Sequence, residues 1–85
     1  MTNYTPDNTQ QLTRDICHCA GINIDPTALI VFTDTDNTGE TISEQGRIVY
    51  LLNYSQIIYA VQQFYNITGY DINVKALADT LPTNF

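Results

Sequence analysis

Between residues 51 and 65 the side chains Leu51, Tyr54, Ile58, Val61 and Tyr65 recur at spacings of three and four. That spacing lines them along one side of an α-helix, while Gln56, Gln62, Gln63 and Asn66 fall mostly elsewhere. Gly69 is suited to the left-handed position that ends a helix, so the pattern predicts a helix over about 55–67. A last helix is predicted from Val74, Leu77, Ala78 and Leu81, capped by Asn73 and stopped by Pro82. Near the start, Leu12, Ile16, Cys19 and Ala20 form another apolar stripe, with Asn8 as cap, Gln11 as a capping-box partner and Gly21 as the stop. Residues 1–7 are polar, contain Pro6, and are expected to fray.

The middle of the chain has a different rhythm. "TALIVFTDT" and "GRIVYLLN" are short apolar runs rich in branched and aromatic residues, and "ETIS" lies between them. "DNTG" offers turn chemistry after the first run. The expectation is an α+β fold with an N-terminal helix, a small antiparallel sheet of two to three short strands over about residues 28–52, and two C-terminal helices. The alternative is an all-α bundle. In that account Asp25-Pro26 opens a helix, and Thr41 with Glu44 forms a capping box for one long helix.

Eighty-five residues make one domain, and residues 8–85 are taken as its globular part. A chain this short buries about 60–65% of its unfolded surface, so its core is modest. With 44% hydrophobic residues it is nevertheless too apolar for a disordered chain. The formal charge is −6, which argues against direct nucleic-acid binding, because phosphates call for clustered Lys and Arg. Seven of the nine acids lie in residues 1–46, against Arg14 alone, whereas Arg47 and Lys75 balance Asp71 and Asp79 in the remainder. The N-terminus carries neither a basic nor an apolar leader pattern, and the uncharged run 48–70 contains too many amides for a bilayer. The expected location is the cytoplasm, with no membrane contact.

Four of the acids, Asp34, Asp36, Glu40 and Glu44, surround Gly39 in "TDTDNTGETISE". Asp34, Asp36, Thr38 and Gly39 match the first half of an EF-hand loop, but the position that must supply a bidentate carboxylate is Gln45. A calcium-binding module is therefore a secondary alternative, and no metal or cofactor is expected. Cys17-His18-Cys19 offers three soft ligands in a row. Neighbouring side chains on a helix splay by about 100° and do not converge on one ion. The expectation is one cysteine in the core, one at its edge, and His18 exposed. His18 is the lone histidine, and no nucleophile–base–orienter pattern accompanies it or Ser43 and Ser55, so no catalytic residues are assigned.

Five of the six tyrosines fall between residues 50 and 70, and with Phe64 they cannot all face one small core. Tyrosine is large, fairly rigid and amphipathic, which suits protein interfaces. The residues expected to bind a partner are Asp34, Asp36, Glu40, Glu44, Tyr50, Tyr54 and Tyr59. The expected function is that of a small acidic, non-catalytic protein that binds a protein with a basic surface, as an inhibitor occupying a site meant for nucleic-acid phosphates. Small acidic inhibitors carried by phages and other mobile elements, anti-CRISPR proteins among them, have a similar general profile, with no shared motif. The alternative is a structural or regulatory subunit that homodimerises or docks through its neutral, tyrosine-rich half.

Overall fold

The computed structural model describes residues 9–83; the expected frayed segment 1–7 and the cap Asn8 lie outside them. The element order is α1 (Thr9–Cys19), β1 (Leu29–Phe32), β2 (Gly39–Ile42), β3 (Ile48–Leu52), α2 (Tyr54–Thr68) and α3 (Val74–Thr80). This is the expected α+β arrangement. The Asp25-Pro26 step makes a single turn, in which Asp25 accepts from the Thr27 amide and hydroxyl and its carbonyl accepts from the Ala28 amide at 2.9 Å. Thr41 sits within β2 rather than in a helix cap.

Local chemistry sets the helix limits. Asn53 caps α2 by accepting from the Gln56 amide at 3.0 Å, and Gly69, at φ 78°, closes it by donating to the Tyr65 carbonyl. Only glycine takes that left-handed conformation without a steric penalty. Asn73 caps α3 by accepting from the Ala76 amide, and Pro82 follows the last turn.

The sheet order is β1-β3-β2. β2 and β3 pair antiparallel, but β1 pairs parallel with β3, from Leu29↔Val49 to Phe32↔Leu52, so the sheet is mixed rather than wholly antiparallel. "DNTG" is accordingly not a hairpin tip. Residues 33–38 cross the end of β3 to reach its far side, held by the Thr33 amide on the Leu52 carbonyl (2.8 Å) and by Asn53 Nδ2 on the Thr35 carbonyl (3.2 Å). The hairpin tip is Ser43–Arg47, where the Ser43 amide donates to the Arg47 carbonyl and Gly46 takes a positive φ of 79°. The physical reason lies in the strands' composition. β1 and β3 are apolar on both faces and pair with each other, β1 having its outer edge covered by other parts of the chain, whereas β2 is half polar and suits the open edge.

Alternation then divides the core. Ile30 and Leu52, with Phe32 and Tyr50 beside them, face Ile16 and Cys17 of α1, Ile57, Ala60, Val61 and Phe64 of α2, and Leu77 and Ala78 of α3. Each fully buried aliphatic side chain here contributes about 1.5–3 kcal/mol of transfer free energy. Val31, Val49 and Leu51, with Leu29, form a second, smaller cluster on the opposite face. Among the described residues, no helix is long and apolar enough to cross a membrane.

Candidate functional site

The four central carboxylates do not gather at one turn. Asp34 and Asp36 lie in the crossover at one end of β2, Glu40 lies within β2, and Glu44 lies in the hairpin tip at its other end. Asp34 and Asp36 stand at the end of the sheet beside β1 and α2, and a four-residue strand of about 13 Å separates them from Glu44, so the acids are spread from the crossover to the hairpin tip. The extended backbone of 39–42 also carries the chain away from Asp34 and Asp36, so the half-match to a calcium loop does not close into a ring of ligands. Among the described residues, no group of three or more His, Cys, Asp or Glu side chains is placed to hold a metal.

The crossover is a ridge between two clefts. On one side, Val31, Phe32, Thr33, Asp34, Asn37, Leu51 and Thr83 line a cleft of about 410 Å³, floored by the second apolar cluster. On the other, Phe32, Asp34, Thr35, Asp36, Asn53, Tyr54 and Ser55 line one of about 220 Å³. Asp34 borders both. The smaller cleft opens at the N-terminus of α2, a helix with no acid in its first turn. The positive end of the helix dipole and the crossover carboxylates thus share one concavity.

The tyrosines separate into different roles. Tyr50 is half-buried in β3 against the main core; burial, with Cys17 and Glu40 nearby adding to it, pushes its phenol above the ordinary range. Tyr70 stacks on Phe64, ring centroids 6.3 Å apart. Tyr54 and Tyr59 are both exposed on α2, but five residues turn them about 140° apart, so one partner surface does not take both at their centres. Tyr54 shares its side of α2 with Ile58 and Tyr65, all within about 40° of one another and 44%, 38% and 52% exposed. Ile58 and Tyr65 were not among the expected partner-binding residues, although their three-and-four spacing with Tyr54 was visible. The spacing marks the helix but not its buried side, which is Ile57, Ala60, Val61 and Phe64, with Val61 the one member of the stripe on α2 that is buried.

Cys17 is buried and its thiol is pushed up to about 12 by that burial, while Cys19 is half-buried and His18 exposed. A thiol so rarely ionised is a poor nucleophile, and Cys17 serves as a small apolar core residue. Of the three basic residues, Arg14 turns inward and donates to the Ala28 carbonyl at 3.0 Å, leaving Arg47 and Lys75 exposed. No family model matches the chain, and no curated protein or solved structure shows significant similarity to it.

Proposed function

We propose that this chain is a non-catalytic cytoplasmic protein that binds a protein partner through a basic surface on that partner. The observation that carries this reading is the smaller cleft, where Asp34 and Asp36 stand beside Tyr54 at the head of the exposed Tyr54–Ile58–Tyr65 stripe. Charge and desolvable aromatic surface adjoin there. Carboxylates raise the encounter rate with a basic surface, and the tyrosines and Ile58 supply the area that excludes water once contact is made. A nucleic-acid-binding surface is the kind of target such carboxylates engage, by taking the positions of phosphates.

The reading is tested by capture from the native source with immobilised protein, comparing wild type with the variant Asp34→Asn, Asp36→Asn, Glu40→Gln and Glu44→Gln. The expected result is a discrete partner retained by wild type, released by moderate salt and lost from the variant, with the variant's melting temperature unchanged. Equal retention by both proteins would reduce the acids to a solubility feature.

A further inference from the structure

The two edges of the sheet are treated oppositely. Along the outer edge of β1 the backbone groups that point away from β3 are met by other parts of the chain. Gln10 donates to the Ile30 carbonyl at 2.9 Å and accepts from the Ile30 amide at 2.8 Å. Arg14 covers the Ala28 carbonyl, and the Phe32 amide donates to the Pro82 carbonyl at 2.8 Å. β2, at the other edge, has no such cover among the described residues. Because Ser43 donates inward to Arg47, alternation turns Gly39 and Thr41 toward β3 and leaves the amides and carbonyls of Glu40 and Ile42 pointing outward. The Ile42 side chain is 59% exposed beside them.

Resting on the proposed partner binding, we infer that the partner also engages the β2 edge, beyond the crossover, by adding an extended basic segment as a fourth strand. The Glu40 and Ile42 backbone groups supply four hydrogen bonds, the usual source of affinity in strand addition. Side chains set the sequence. On the helix-bearing face Glu40 and Ile42 stand next to Tyr50 and Ile48, so the incoming strand meets one carboxylate and one aliphatic surface. Asp36 and Glu44 flank the strand at its two ends. A segment with Lys or Arg alternating with branched apolar residues satisfies this edge. A second copy of this chain, which brings its own Asp36, Glu40 and Glu44 to the same margin, complements this edge less well than a basic segment does. The opposite face of β2 offers Gly39 and Thr41, which leave room for the partner's other side chains.

The test uses a blocked peptide of about eight residues alternating Lys and Val, and the same peptide N-methylated on its pairing edge. Hydrogen exchange at the Glu40 and Ile42 amides is followed by NMR. Those amides are expected to exchange fast in the free protein and at least about tenfold more slowly with saturating peptide, and the N-methylated peptide to bind at least about tenfold more weakly. Ile42→Pro, which removes one outward N–H at a position where edge strands tolerate proline, should weaken the unmodified peptide similarly. Equal affinity for the two peptides, unchanged exchange, or no binding at millimolar peptide overturns strand addition. Slowing that depends on protein concentration without peptide also overturns it, in favour of self-pairing. Failure of the partner reading looks different: the variant with all four acids neutralised then binds the peptide as well as wild type does.

Discussion

Gln10 supplies two of the four contacts that close the outer edge of β1, pairing its side-chain amide with Ile30 as a neighbouring strand would. Gln10→Ala leaves a partly buried N–H and C=O without partners, which should cost about 1–3 kcal/mol in urea unfolding. A smaller loss would mean that water replaces the amide. Gln10→Glu is more discriminating. Its carboxylate would face the Ile30 carbonyl, whereas the protonated acid both donates and accepts. The folded carboxyl is therefore raised, and the variant should recover toward wild-type stability as pH falls and lose it as pH rises through that raised value. Asp25 shows the opposite sign. The Thr27 hydroxyl and amide hold its carboxyl below the ordinary value, so its contribution is present above the unfolded value and fades as pH falls through the folded one. Asp25→Ala should thus lower the melting temperature at neutral pH, and the gap to wild type should shrink as pH falls below the ordinary carboxylate range; a gap that stays constant into acid would assign the effect to something other than the carboxylate.

At the scale of elements, the start of α2 joins fold and candidate site. Asn53 caps the helix through Oδ1 and ties down the crossover through Nδ2. Asn53→Ala should cost about 1 kcal/mol from the cap and, in addition, raise amide exchange across residues 33–38; a stability loss with the crossover amides unmoved would restrict Asn53 to capping. The helices were legible in the sequence because their determinants are local: Gly69, Asn73 and Pro82 stand where a cap or stop is needed, and Asn53, an equally local cap, was missed. The three strands were legible too, but the expected antiparallel pairing holds only for β2 and β3, since β1 runs parallel to β3. "DNTG" is good turn chemistry wherever it occurs, and nothing within it tells a hairpin from a crossover. The deciding signal was non-local. "LIVF" and "IVYLL" are apolar on both faces and so belong side by side, leaving the half-polar "GETI" for the uncovered edge. The same misjudged pairing made the acids look like one turn when they are spread from the crossover to the hairpin tip. On α2, apolar spacing identified the helix but not its buried side, since Tyr54, Ile58 and Tyr65 satisfy the same period as the true core face.

For the whole molecule, the topology sorts charge from packing. Both apolar strands and the buried faces of all three helices are used in the core, Arg14 is drawn inward to finish an edge, and four of the nine acids lie in β2, its crossover and its hairpin tip. Part of the charge imbalance between the halves of the sequence therefore becomes a spatial one, with Asp34 and Asp36 beside Tyr54 at the start of α2. The most direct measurement is the association rate of wild type and of the fourfold Asn/Gln variant with the captured partner, across a range of ionic strength. Steering by these carboxylates predicts that the wild-type rate falls at least about tenfold from low to moderate salt while the variant begins at the lower rate and barely changes. Identical rates for the two proteins at every ionic strength would contradict the account.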